Sequence, residues 1–147
     1  MPPIEIRRLR PVDEHLLDNV ADDVFDEPVD DARLKACLAS PGHLLFVALD
    51  DGQVVAQAAG MIHRHLDKPT ELYVDELGVS PAWQRRGIAN RLMDALFAAG
   101  REAGCEEAWL GTELDNIPAR ALYERRKEPV EPAETFVMYV YDLRDDA

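Results

Sequence analysis

The chain reads as an α/β protein, a single domain in which a mixed sheet carries helices on both faces. Three observations carry that reading. Short runs such as "IEIRRL" and "TELYVDELGV" have strand periodicity or strand composition. Longer segments place apolar residues at helical spacing. The two kinds of segment interleave along the chain, so sheet and helices must pack on one another. At 147 residues, 47% hydrophobic and 31% charged, the chain is long enough for one domain with a substantial core.

The elements follow in order. Ile4–Leu9 alternates and opens the sheet. From His15 to Phe25, the residues Leu16, Leu17, Val20, Val24 and Phe25 recur at helical spacing, which predicts a helix with Asp13 as its N-cap. A second, short helix is predicted from Asp30 or Asp31 to Ala39, stopped by Ser40-Pro41-Gly42. His43 to His63 gives two strands around Asp51-Gly52, a dipeptide that tolerates the positive φ of a tight hairpin. Thr70–Val79 is a fourth strand, closed by Ser80-Pro81.

Ile88, Leu92, Leu96, Ala99 and Ala103 form one stripe of a helix that stops at Gly104. Glu106–Thr112 is a fifth strand. Asn116 and Pro118 open a helix carrying Ala119, Leu122 and Tyr123. Thr135–Leu143, "TFVMYVYDL", is predicted as the final strand. The strand–helix–strand from Thr70 to Thr112 should form a right-handed parallel unit. No repeat, linker or low-complexity segment interrupts the pattern.

Composition narrows the function. No apolar run is long enough for a bilayer and "MPPIEIRRLR" lacks a signal peptide's hydrophobic centre, so a cytoplasmic location is expected. Cys37 and Cys105 form no metal-binding or disulfide pattern and read as small core residues. A net charge of −13 argues against nucleic acid or an anionic membrane as partner. It suits a cationic ligand, or simply solubility. The distribution says more: Asp13 to Asp31 holds nine acids and no lysine or arginine. A solvated helix face gains from mixed signs at i,i+4, which this segment lacks.

His63 and His65 would share one face of a strand, but the sequence offers no third ligand, so no metal site is expected. Trp83 and Trp109 read as packing residues.

The turn before the long helix has the parts of a phosphate cradle. Free N–H groups at a helix N-terminus attract anions. Gly87 and Ala89 keep the backbone approachable, and Arg85 and Arg86 add cationic donors. The spacing of "QRRGIA" is neither that of a P-loop nor that of a dinucleotide fingerprint. An ordinary helix start would also account for it.

"LGVSPAWQRRGIANRL" resembles the acetyl-CoA signature of the GNAT N-acetyltransferase superfamily, with Gln84, Gly87 and Ala89 on its key positions. "DNIPARALYE" is similar to the family's second motif, and the element order agrees along almost the whole chain. Within the superfamily the nearest look is to aminoglycoside 3-N-acetyltransferases, carried by "VFDEPVD", "LLFVALDDGQVVAQAAG", "ELYVDELGVSPAWQRRGIA" and "ARALYE". After Tyr123 the pattern departs: "ERRKEPVEPAET" replaces the family's usual turn, which puts a regular strand and the rear wall of the acceptor pocket in question.

The resemblance implies a mixed, mostly antiparallel sheet of six to seven strands with about four helices, splayed between the fourth and fifth strands. It implies acetyl-CoA as co-substrate, held by Leu77, Gly78 and Val79 along the strand edge and by Gln84, Arg85, Arg86, Gly87, Ile88 and Ala89 at the turn. The Val79 N–H would polarise the thioester. Glu76, then Asp75, then Glu71 are the candidate bases. Asp75 and Glu76, adjacent on one strand, are expected to point to opposite faces. Tyr123 would protonate the departing thiolate, and Asn116 would touch the cofactor or cap its helix.

The reading that follows is an N-acetyltransferase acting on a primary amine of a small cation, aminoglycoside- or polyamine-like, with Asp22, Asp23, Asp26 and Glu27 at the acceptor mouth. A protein N-terminus or lysine is the alternative acceptor. A non-catalytic acyl-CoA-binding module is the alternative of another class. The apolar final strand offers an edge for a homodimer.

Overall fold

The computed structural model describes residues 3–145 and divides into two compact units, one up to Gly111 and one from Thr112 onward. The first holds a five-stranded sheet in sequence order: β1 (Glu5–Arg8), β2 (His43–Asp50), β3 (Gln53–His63), β4 (Glu71–Val79) and β5 (Glu107–Trp109). The first three pairings are antiparallel and β4–β5 is parallel. The β2–β3 hairpin turns at Asp51 (φ 49°) and Gly52 (φ 82°), as the dipeptide predicts.

Strand alternation feeds two cores. Leu44, Phe46 and Ala48 of β2 face α2 (Ile88–Glu102), whose Ile88, Leu92, Leu96 and Ala99 close that core with Leu72 and Val74. Val47 and Leu49 face the other way, against Leu9, Leu17, Val24 and Val54, and Leu34 and Leu38 of α1 (Asp31–Ala39) pack there. Each fully buried leucine contributes roughly 1.5–3 kcal/mol. α1 begins where Asp30 accepts a hydrogen bond from Arg33 N–H at 2.9 Å. α2 ends at Gly104, φ 92°. No helix among the described residues is long and apolar enough to cross a membrane.

Three expectations are corrected. The helix expected from His15 to Phe25 is a 3-10 helix at Pro11–Asp18, capped at Arg10, whose N–H donates to Asp13. Beyond it the backbone pairs with the sheet instead: Ala21 N–H donates to the Val54 carbonyl at 2.8 Å and Val54 N–H to the Asn19 carbonyl at 2.9 Å. Asp23 is left-handed (φ 59°), which no helix accommodates.

The strand count of six to seven becomes five, because Thr135–Leu143 forms no strand. A strand needs a ladder partner, and among the described residues this segment has none. Phe136 to Tyr141 lie exposed. The fifth strand, expected over Glu106–Thr112, spans only Glu107–Trp109.

The second unit contains α3 (Ile117–Glu124). Asn116 caps it, its Oδ1 accepting from Ala119 N–H at 3.3 Å while its Nδ2 donates to Thr112 Oγ1 at 3.2 Å. No helix or strand follows Glu124 among the described residues.

Candidate active site

β4 pairs with β3 at both ends, from Glu71 to Val74 and from Glu76 to Val79, but with β5 only from Glu71 to Tyr73. From Val74 on, no strand among the described residues covers its other edge. Tyr73 and Trp109 stack at 4.3 Å on the last paired rung, where the two strands part.

The register decides which groups face the open edge. Ser80 N–H donates to the Val55 carbonyl at 2.9 Å, so the Ala56–Val79 pair is a non-hydrogen-bonded one. The N–H and C=O of Val79 therefore point away from β3, as do those of Leu77 two residues earlier, while those of Gly78 point toward Gln57. Gln84 Nε2 donates to the Val79 carbonyl at 3.1 Å, leaving the Val79 N–H at the open edge.

Just beyond, a one-turn 3-10 helix (Pro81–Trp83) is pinned by Trp83 Nε1, which donates to Asp50 Oδ2 at 2.7 Å. The chain then passes through two left-handed residues, Arg85 (φ 62°) and Gly87 (φ 77°), into α2. A left-handed arginine is strained, and such outliers cluster where a ligand is gripped. The N–H groups of Arg85, Arg86, Gly87, Ile88 and Ala89 donate to no protein acceptor among the described residues. Nothing stands within 4 Å of where a Cβ on Gly87 would be. The turn thus offers free donors, two exposed guanidinium groups and room, which fits a pyrophosphate. The Ile88 side chain is buried in the core, so only its backbone is available to a ligand.

The expectation that Asp75 and Glu76 point to opposite faces is also corrected. The β3–β4 register shifts so that Gly60 faces Val74 and Ala59 faces Glu76, which leaves Asp75 as the extra residue of a β-bulge. Leu72 and Val74 face α2 before the bulge, and Leu77 and Val79 do so after it. Both carboxylates therefore lie on the opposite face, and both are exposed.

Although Glu76 as a residue is exposed, its carboxyl group is partly shielded from water. That desolvation first, then the charges of Asp75 and Asp26, push it above the usual carboxylate range. Asp26 belongs to the acidic loop, and Gln57 Nε2 holds that loop by donating to the Val24 carbonyl at 3.3 Å. The loop surrounds an open groove of about 460 Å³, lined by Asp22, Asp23, Asp26 and Glu27 among others.

Tyr123 lies on α3 in the second unit. It is half-buried, and burial raises its phenol above the ordinary value. Asn116 is occupied in capping.

Glu71, the third candidate base, is engaged elsewhere. It is hydrogen-bonded to His65 Nε2, which holds its carboxyl below the usual range. Spacing alone offered His63 and His65 no third ligand, yet the hairpin brings Glu71 against both. Sequence reasoning missed this because the residues meet only through the β3–β4 register. A strand-end HxH followed within ten residues by a carboxylate on the returning strand was the available signal.

The profile of the acetyltransferase (GNAT) family matches residues 9–127, from before the first 3-10 helix to just past α3. The N-alpha-acetyltransferase RimI of Mycobacterium tuberculosis is 35% identical over 100 residues, 68% of this chain and 61% of that protein. The match thus spans less than two thirds of that curated relative's length. An aminoglycoside acetyltransferase from an uncultured soil metagenomic sample, solved with trehalose, superposes with a TM-score of 0.81 at 23% identity, covering 96% of this chain and 97% of that one. The aminoglycoside acetyltransferase AAC(6')-Iy, solved with a CoA-linked bisubstrate analogue, gives a TM-score of 0.78 at 21% identity over 96% of this chain and 99% of that one. At these identities the superpositions speak for the fold. With its profile match, its parted β4–β5 edge and its glycine turn before α2, the chain belongs to the acetyltransferase (GNAT) family.

Proposed function

We propose that this protein moves an acetyl group from acetyl-CoA to a primary amine of a small polycation, aminoglycoside- or polyamine-like. The observation that carries the acceptor class is the grouping of Asp26, Asp75 and Glu76 on one face of β4, beside the acidic groove. Three carboxylates gathered there repel one another, and a multiply charged amine relieves that repulsion.

The roles follow from the chemistry. Gln84–Ala89 holds the pyrophosphate, and the N–H and C=O of Leu77 hydrogen-bond the pantetheine arm. The ammonium loses a proton to Glu76, and the neutral nitrogen attacks the thioester carbon while the Val79 N–H steadies the oxyanion. The C–S bond then breaks, and the Tyr123 hydroxyl gives its proton to the thiolate. The second proton of the acylated nitrogen leaves through solvent, from which the tyrosinate is reprotonated. A raised phenol suits a group that must stay protonated until the sulfur departs. The chain is read as one acetyltransferase domain, which the run of the family profile across Thr112 supports.

A second acceptor, the amine of a protein N-terminus, is favoured by the 35% identity to a named N-alpha-acetyltransferase. One experiment separates the two. CoA-thiol release is followed with polyamines, aminoglycosides and N-terminal peptides, at low and high salt, for the wild type and for a combined Asp22→Asn, Asp23→Asn, Asp26→Asn variant. The polycation reading expects turnover of the cations, with KM raised and its salt dependence flattened in the variant. Turnover of peptides alone, or identical salt slopes, would overturn it.

A further inference from the structure

We propose that His63, His65 and Glu71 form a binding site for one divalent transition-metal ion, zinc being the best fit. The site lies apart from the acetyl-transfer machinery and does not rest on the function proposed above. His63 ends β3, Glu71 begins β4, and the two are partners in the hairpin register. His65, in the connecting loop, folds back so that its ring centroid lies 4.2 Å from that of His63 and its Nε2 meets Glu71 Oε1. One ligand atom from each of the three lies within 4.8 Å of the others.

The donor set is two imidazole nitrogens and a carboxylate oxygen, which suits zinc and leaves a fourth position for water. Bonds of about 2.0–2.2 Å put tetrahedral ligands roughly 3.4 Å apart, so each donor here needs to move by less than about 1 Å. The side chains of His65 and Glu71 are only 16% and 20% exposed, so those two donors are held in place. His63 is exposed, and among the described residues its ring donates and accepts no hydrogen bond, so it can adjust.

A hydrogen bond between His65 and Glu71 needs no second imidazole. What it leaves unexplained is why His63 is brought against the same pair.

Position along β4 defines what the ion does. Glu71 lies eight residues from Val79, about 26 Å along an extended strand, and five from Glu76, about 16 Å. At that remove the ion acts on the fold: it ties the Arg64–Thr70 loop to the end of the β3–β4 hairpin.

The test uses the full chain freed of metal with a chelator and titrated with zinc in a calorimeter, with cobalt absorption as a second readout. One ion per chain should bind, with the tetrahedral cobalt bands of mixed nitrogen and oxygen ligation. The melting temperature should rise by about 5–10 °C at a zinc concentration 100 times the dissociation constant. His65→Ala and Glu71→Gln should each weaken binding at least about ten-fold. His63→Gln, a change at an exposed site that spares the fold, should do the same. A Cys37→Ser, Cys105→Ser double variant should bind as the wild type does. No saturable binding below about 1 mM, or binding that survives His63→Gln unchanged, would overturn the proposal.

Discussion

Gly78→Ala is a one-carbon test of how the acidic loop is held over β4. A Cβ at Gly78 would stand 2.5 Å from the Val24 carbonyl oxygen. Carbon–oxygen contacts in folded proteins close to about 3.3 Å, so the oxygen must retreat by roughly 0.8 Å. It belongs to backbone, and no rotamer relieves the clash. Val24 is only 3% exposed and packs with Leu17 and Val54, so moving it disturbs that core and lengthens the Gln57–Val24 hydrogen bond. Overpacking of this kind costs about 1–3 kcal/mol. For a chain of this length a cost of about 2 kcal/mol lowers the melting temperature by roughly 4–8 °C.

The loop carries the acids of the groove, so the acceptor KM should rise while the affinity for acetyl-CoA holds. Thermal unfolding by circular dichroism and steady-state kinetics read the two effects. Gly52→Ala is the control: its Cβ meets nothing within 4 Å, so only left-handed strain of about 1–2 kcal/mol remains and the acceptor KM should not move. A Gly78→Ala protein that melts within about 1 °C of the wild type, with an unchanged acceptor KM, would refute the loop's anchorage through Val24.

Gly87→Asp should weaken acetyl-CoA binding at least about ten-fold by calorimetry, because it places a negative charge in the turn and loses the left-handed glycine. Tyr123→Phe should lower kcat by about 10²–10⁴-fold with little change in acetyl-CoA affinity, since only the proton donor is lost. Glu76 should give the acid limb of the pH–rate profile an inflection above the ordinary carboxylate range, and Asp75→Asn should move that limb to lower pH by removing a repelling charge. A carboxyl raised by folding contributes stability below its unfolded pKa and loses it as pH rises through the folded value. Glu76→Gln should therefore be slower than the wild type yet more stable near neutral pH, as denaturant melts at several pH values would show.

Local signals in the sequence located most elements correctly. Asp51-Gly52 announced the hairpin, the Ile88–Ala99 stripe announced α2, and the glycine turn stands at the start of that helix. Features that depended on a distant partner were not legible. The Leu16–Phe25 pattern has helical spacing, but the backbone there is claimed by Val54 on another strand. "FVMYVY" has strand composition, yet composition cannot supply the neighbour a strand requires. The β4 bulge was hidden because alternation was assumed through Asp75, while the register is set by pairing with Ala59 and Gly60. That error concerned the site itself, since it assigned the two carboxylates to separate faces.

The bulge also bears on how this strand can change by insertion and deletion. In a regular strand, gaining or losing one residue turns every later side chain over, and a core strand rarely survives that. Here the phase already slips between Val74 and Leu77. Removing Asp75 would restore plain alternation, with Leu72, Val74, Leu77 and Val79 all still inward and Glu76 alone outward. Chain length at this point is thus uncoupled from the core. A lineage can acquire or shed a second acid beside Glu76 in a single step, altering the charge on that face while the half of β4 that leads into the glycine turn keeps its phase.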